Sequence, residues 1–342
     1  MEEEYNDLED FEEQETIEIN EVIDALFDEE STFPPRFLYR LSGLEGPDLE
    51  HFTKAWPDVA QTRRERMLED LEVLGDRTTY LDFDEIFLLG LNETSAHARQ
   101  LSIRGLWESE NPTVARKLVD LMTLDPNMDV RAQAARGLGK FIYMGELQEL
   151  NPALFTRITD ELIQTWRKDT AEDLRRGALE SLGFCSRAEV NELIETAYNQ
   201  NREDWLISAL IAIGRSANDQ WLPQVVESLN HDSPEVRLEA AQAAGLLAGQ
   251  SAATHLLHLI DDPEENVKQA AIWALSEIGG LDARAALEGL LKSATEDDEI
   301  EFLEDALENL DFTEMSISFD LFDLSEEDLD EMIEDDGGES EA

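Results

Sequence analysis

The chain has 342 residues, long for a single globular core, and carries 80 Asp and Glu against 26 Lys and Arg, a formal charge of −54. Such a charge argues against attachment to nucleic-acid phosphates or to a membrane surface and favours protein partners with basic surfaces. A lone cysteine, Cys185, leaves no internal disulfide; the opening MEEEYNDLEDFEEQ has neither part of a secretion signal, and no run approaches the roughly 18 apolar residues of a membrane span, so a cytoplasmic protein is expected.

The acids gather at the ends. Residues 1 to 30 hold 15 of them and no Lys or Arg, and residues 296 to 342 hold 22 and again none, leaving 43 acids against all 26 bases in the body. The first expected element is therefore an acidic arm, residues 1–30, in which NEVIDALFDEE sets Val22, Ile23, Leu26 and Phe27 at helical spacing, suited to folding on a partner. PPRFLYRLSGLEGPDLEHFTKAWP predicts a helical cap. RRERMLEDLEVLG from Arg63 follows as an atypical first unit, its Met67 and Leu71 four apart.

From there one phrase returns. LRRGALESLG from Leu174, WLISALIAIG from Trp205, VRLEAAQAAG from Val236 and VKQAAIWALS from Val267 start 31 residues apart, with earlier copies from Ala98 and Val130. A fixed period of this size marks stacked helical hairpins. Numbering each copy from its first residue, position 1 is Ala98, Val130, Leu174, Trp205, Val236 and Val267; position 5 is Ser102 and then alanine in every copy; position 9 is Leu106, Leu138, Leu182, Ile213, Ala244 and Leu275. A spacing of four puts these on one helix face, and the small residues let a neighbouring helix come close.

Second helices alternate with the first: TVARKLVDLM from Thr113, EVNELIETAY from Glu189, QWLPQVVESL from Gln220 and AATHLLHLI from Ala252. Polar breaks such as LDPNMD, NHDSP and DDPEEN separate them. The step from Val130 to Leu174 is 44 residues, which predicts an insertion of 13 around YMGELQELNPALF as a longer connection. FLEDALENL from Phe302 closes the array. A tail, residues 311–342, mixes Ile317, Phe319, Leu321, Phe322, Leu324, Leu329, Met332 and Ile333 with acids, the pattern of a segment that orders on a partner.

Position 2 carries Arg99, Arg131, Arg175, Arg237 and Lys268, with Leu206 the exception, and acids such as Asp129 and Asp232 stand just before it. A unit of Asp, Pro, Val-Arg, Ala-Ala and Leu-Gly, clearest in DSPEVRLEAAQAAG, resembles the HEAT repeats of the bilin-lyase type over roughly residues 47 to 310. The resemblance implies an all-α fold, an α-solenoid of about seven HEAT-like helical hairpins spanning residues 31–310 with acidic, largely disordered terminal arms. It also implies that Asp and Arg form a ladder tying adjacent hairpins.

Among the activities that this resemblance covers, the iron-dependent hydroxylases place His-Glu pairs in their repeats. The five histidines here, His51, His97, His231, His255 and His258, are followed by Phe, Ala, Asp, Leu and Leu. No ligand set results, and no lyase motif matches particular residues. GLGK from Gly137 is followed by Phe141 and lacks the phosphate-loop pattern. His255 and His258 stand three apart before Asp261 and Asp262, but Leu256, Leu257, Leu259 and Ile260 form the apolar stripe beside them. No cofactor, no metal and no catalytic residue is expected, and Cys185 in SLGFCSR reads as a buried structural thiol.

Positions 3, 7 and 11 form a stripe away from the core. It is basic in the early copies, with Arg104, Arg136, Lys140 and Arg176, and apolar or aromatic later, with Phe184, Ile207, Ile211, Leu238, Leu246 and Trp273 beside Arg215. Since the inner surface of a helical array is its usual binding surface, these residues are the expected partner site. The function expected is that of a non-catalytic interaction scaffold holding a partner segment, its arms engaging basic partners or the groove. A bilin lyase or tetrapyrrole-handling protein, and an acidic chaperone or nucleic-acid mimic, are the alternatives.

Overall fold

The computed structural model describes residues 17–78 and 80–322, with side chains as far as Met315. Every regular element among the described residues is helical. The chain forms two compact units, one ending at Val190 and the other starting at Asn191, a division that falls within the helix Ala188–Tyr198.

The first unit opens with α1 (Ile19–Phe27), α2 (Arg36–Tyr39) and α3 (Gly46–Ala55). Ile19, Val22 and Leu26 of α1 are buried, and α1 packs on α3. The chain flanking α1 is tied down as well: Arg40 Nε donates to the Ile17 carbonyl at 2.8 Å, and the Arg63 guanidinium donates to the carbonyls of Asp28 and Ser31. The segment expected as an acidic arm, residues 1–30, thus contains a packed helix, because three apolar residues on one face of α1 are buried despite the acids around them.

The repeats follow as α4 (Gln61–Arg77), α5 (Asp84–Gly90), α6 (Ala96–Gly105), α7 (Pro112–Leu124), α8 (Met128–Gly137), α9 (Gly139–Glu146), α10 (Pro152–Lys168) and α11 (Glu172–Leu182). In succession α4, α6, α8 and α11 stack on one another, while α7 pairs with α8 and α10 with α11. The second unit repeats the scheme: α13 (Glu203–Arg215), α15 (Pro234–Leu246), α17 (Glu265–Ile278) and α19 (Asp297–Phe322) stack in order. Their partners are α14 (Leu222–Ser228), α16 (Ala253–Leu259) and α18 (Leu281–Ser293); α12 (Ala188–Tyr198) spans the division. Helix starts follow the polar breaks: Ser95, Asn127 and Ser233 each accept the backbone N–H three residues on with their side chains.

Positions 1, 5 and 9 are buried in all six copies. Position 10 matters too. A Cβ on Gly214 would stand 3.1 Å from the Ala243 Cα, and one on Gly245 3.0 Å from the Ala274 Cα, so glycine at position 10 meets a small residue at position 8 of the next copy.

The 13-residue insertion is not a connection. Phe141, Ile142, Met144, Leu150 and Leu154 are buried, and the inserted length is taken up by α9 and a lengthened α10. An apolar residue every third or fourth place buries more surface as helix than as loop. At the other end α19 runs past residue 310 to Phe322, and Arg284 pairs with its Asp311 and Glu314 at 2.6 and 2.7 Å. Leu324, Leu329, Met332 and Ile333 of the tail lie outside the described residues.

An Arg-acid ladder is present, with partners other than those the sequence suggests. Arg99 grips Asp125 through two bonds of 2.7 and 2.8 Å, and Arg237 grips Asp262 at 2.8 and 2.9 Å. Arg131 meets Asp169 at 2.7 Å, and Arg64 meets Glu93 at 2.8 Å. Each acid stands five residues before position 1 of the following copy, and Asp125, Asp169 and Asp262 also accept the backbone N–H two residues on. One carboxylate thus caps a helix entry and ties it to the preceding hairpin; the bond from Arg237 holds the Asp262 carboxyl below its ordinary range. Asp232 contributes a backbone carbonyl to Arg237 instead of its side chain. Arg175 turns to the Trp166 carbonyl and lies 5.0 Å from that ring's centroid, and Lys268 pairs within its own helix with Glu265. In the second unit Leu206 holds position 2, and His231 stands where the next acid would be, its Nδ1 accepting the Ser233 N–H at 3.1 Å.

Candidate functional site

The basic half of the stripe is neutralised within the first unit. Arg104 of α6 reaches back to Glu72 of α4 through two bonds. Arg136 of α8 reaches forward to α11, bonding Glu180 at 2.7 Å and Asp173 at 2.8 Å. Burial works against its charge, but the hydrogen bond to Asp173 and the charge of Glu180 together raise its pKa. Lys140 donates to the Glu108 carbonyl and stands 3.6 Å from Glu110, while Arg176 meets Asp173 at 2.9 Å. Arg104 and Arg136 thus join stacked helices, Arg176 pairs within α11 and Lys140 with the segment that precedes α7, so each of these cations meets an acid of the same unit. Phe184 lies against Tyr143, ring centroids 5.4 Å apart.

A cleft of about 870 Å³ in this unit is bounded by α4, α5 and α6, with Phe83 and Phe87 beneath, Trp107 61% exposed, and Glu69, Asp76, Asp82 and Glu108 at its rim. Burial raises the Asp84 carboxyl despite its bond from Ser109.

In the second unit Ile207, Ile211 and Arg215 of α13 are half-buried, as is Leu238 of α15. The later stripe residues come together. Leu238, Gln242 and Leu246 of α15 and Gln269, Trp273 and Glu277 of α17, which are positions 3, 7 and 11 of consecutive copies, line one open cavity of about 550 Å³. Phe302 of α19 closes its far side, its ring centroid 6.5 Å from that of Trp273. Leu246 is 59% exposed and Trp273 40%, large apolar surfaces left open to solvent beside each other. Periodicity marks the six stripe residues; Phe302 escapes it because it belongs to the closing helix, which lacks the repeated phrase.

Glu277 is the ionisable group of this lining. Its Oε1 accepts the Trp273 indole N–H at 3.1 Å, and burial raises its carboxyl above the ordinary value of 4.5. The folded state therefore binds the proton more tightly than the unfolded chain, and stability is lost as pH rises through the raised pKa. Glu277→Gln is expected to raise the unfolding free energy at pH 7, an advantage that shrinks as pH falls toward 4.5; urea unfolding of both proteins at several pH values checks it.

Other reactive groups are quiet. Burial pushes the Cys185 thiol up to about 11, so it is protonated at neutral pH. Among the described residues no group of three or more His, Cys, Asp or Glu is placed to hold a metal, and no helix is long and apolar enough to cross a membrane.

Residues 190–265 and 222–310 match the family described as HEAT repeats. Among solved structures, the complex of CpcE and CpcF of phycocyanin lyase from Nostoc sp. PCC7120 is similar at 18% identity, covering 66% of this chain and 94% of the other with a TM-score of 0.45. Escherichia coli YibA is similar at 17% identity over 83% of this chain and 98% of its own, TM-score 0.43. Human deoxyhypusine hydroxylase is similar at 18% identity over 80% and 98%, TM-score 0.34. No curated protein matches the chain.

Proposed function

We propose that this chain, which matches HEAT repeats between residues 190 and 310, is a non-catalytic scaffold that holds a segment of a partner protein against α15 and α17 of its second unit. The observation that carries the proposal is the cavity built by positions 3, 7 and 11 of α15 and α17, where Leu246 and Trp273 stay exposed although every core position around them is closed. Exposed aromatic and aliphatic side chains in a concavity, with amides at the edge, suit an apolar segment whose backbone bonds Gln242, Asn266 and Gln269. The charge of −54 favours a partner whose surface is basic, and the acidic ends of the chain would assist its approach.

A photo-activatable phenylalanine analogue placed at Leu246, and separately at Glu304 on the exposed face of α19, tests this in the native cell. The expected result is a discrete protein adduct from position 246 that is absent from 304. Adducts of equal pattern from both positions, or none from 246, would overturn the assignment.

A further inference from the structure

The lining of the second unit's cavity contains a single ionisable side chain, set among Leu238, Leu246, Trp273, Phe302 and neutral amides. Among the described residues Glu277 makes no ion pair, and its hydrogen-bond partner is the indole of Trp273, one turn earlier on the same helix. Its other oxygen, Oε2, lies 2.5 Å from where a Cβ on Gly245 would stand, so the carboxylate occupies the space that glycine leaves in the facing helix. Indole on one side and a bare backbone on the other fix its direction. Gly245 of α15 and Trp273 of its own helix lie against the carboxylate, and the other residues that line the cavity, among them Gln242, Asn266, Gln269 and Phe302, do not titrate. The fold has thus half-buried a negative charge against its own stability and, among the described residues, supplied no cation, whereas Arg104 and Arg136 of the first unit each meet acids of stacked helices. Carboxylate beside an exposed indole, with aliphatic walls, matches one kind of side chain: a cationic head on an apolar stem.

We propose that this cavity holds a subsite for an arginine or lysine of the partner segment, with Glu277 as its counter-ion, Trp273 as the face that the cation lies on, and Leu238 and Leu246 taking the flanking apolar residues. The inference rests on the segment-binding reading of the same cavity. It adds a specificity: a basic residue flanked by aliphatic ones, selected by a charge that no other lining residue supplies. Gly245 is a positioning residue in this arrangement.

The test uses the full chain and two short dye-labelled peptides, one with an arginine flanked by leucines and the other with neutral citrulline in its place. Because an acidic protein attracts any cation, a surface variant carrying Glu301→Gln, Glu304→Gln and Asp305→Asn, all exposed positions on α19, serves as the control. At about 0.15 M salt the wild-type chain is expected to prefer the arginine peptide about tenfold, one charge-assisted bond's worth. Glu277→Gln, nearly the same in shape, removes that preference, and the surface variant keeps it. The preference also fades as pH falls through the raised carboxyl pKa. If both peptides bind with equal affinity and both are weakened by Leu246→Asp, the cavity takes a segment but the cationic subsite is wrong. Binding of neither peptide, or binding untouched by Leu246→Asp, overturns the subsite together with the segment reading. A preference that survives in Glu277→Gln, or is lost in the surface variant, assigns it to general charge and also overturns the subsite.

Discussion

Replacing Asp125 with alanine is expected to lower the unfolding free energy of the first unit by about 3–5 kcal/mol. The Arg99 and Asp125 side chains are 8% and 2% exposed, so neither end of the pair can turn to water when the other is removed. Arg99 keeps two bonds to the carbonyls of Glu93 and Thr94, which satisfy one nitrogen of its guanidinium and leave the two that faced Asp125 buried and unmatched. The Asn127 N–H, which Asp125 accepts at 2.8 Å, also loses its partner at the entry of α8. Asp125→Asn preserves the shape and the cap but not the charge and should cost less. Arg157 and Asp120, 50% and 56% exposed, form the contrast: breaking that pair should change stability by no more than about 1 kcal/mol. Urea unfolding of the three variants checks the ordering. A loss below about 1 kcal/mol for Asp125→Ala would mean that the ladder does not hold the hairpins together.

The core was legible because it repeats. Positions 1, 5 and 9 recur with the same small or aliphatic character, and a period of 31 with a spacing of four can satisfy only one face of a stacked helix. The ladder was half legible: the arginines stand out at position 2, but the acids nearest them in sequence, Asp129 and Asp232, are not their side-chain partners. Arg99 and Asp125 are 26 residues apart, Arg131 and Asp169 38, because each arginine reaches the entry of the next copy, which only the stacking brings near.

The stripe shows the same limit. Arg104, Arg136 and Lys140 read as a basic surface when the acids that neutralise them lie about a repeat or more away, and Glu72, Asp173, Glu180 and Glu110 are placed opposite them by packing alone. In the apolar half Leu246 and Trp273 are exposed, whereas Ile207, Ile211 and Leu238 are half-buried, a difference that the repeat pattern alone does not carry. The insertion near Phe141 was misread for a different reason: a break in the period looks like a loop, although its apolar residues recur at helical spacing.

The most direct measurement of the central claim is the affinity of the partner cross-linked at position 246 for the chain carrying Leu246→Asp. Leu246 is 59% exposed in the free protein, so an aspartate there is solvated and the fold should persist. In the complex the same carboxylate would be pressed among Leu238, Trp273 and the partner's apolar residues with no cation of its own, a burial that costs several kcal/mol in interfaces of this kind. By isothermal titration the dissociation constant is expected to rise at least about 100-fold, while Glu304→Gln on the exposed face of α19 leaves it within about twofold. An affinity unchanged by Leu246→Asp would contradict the account, because the partner would then be held somewhere other than the face formed by positions 3, 7 and 11.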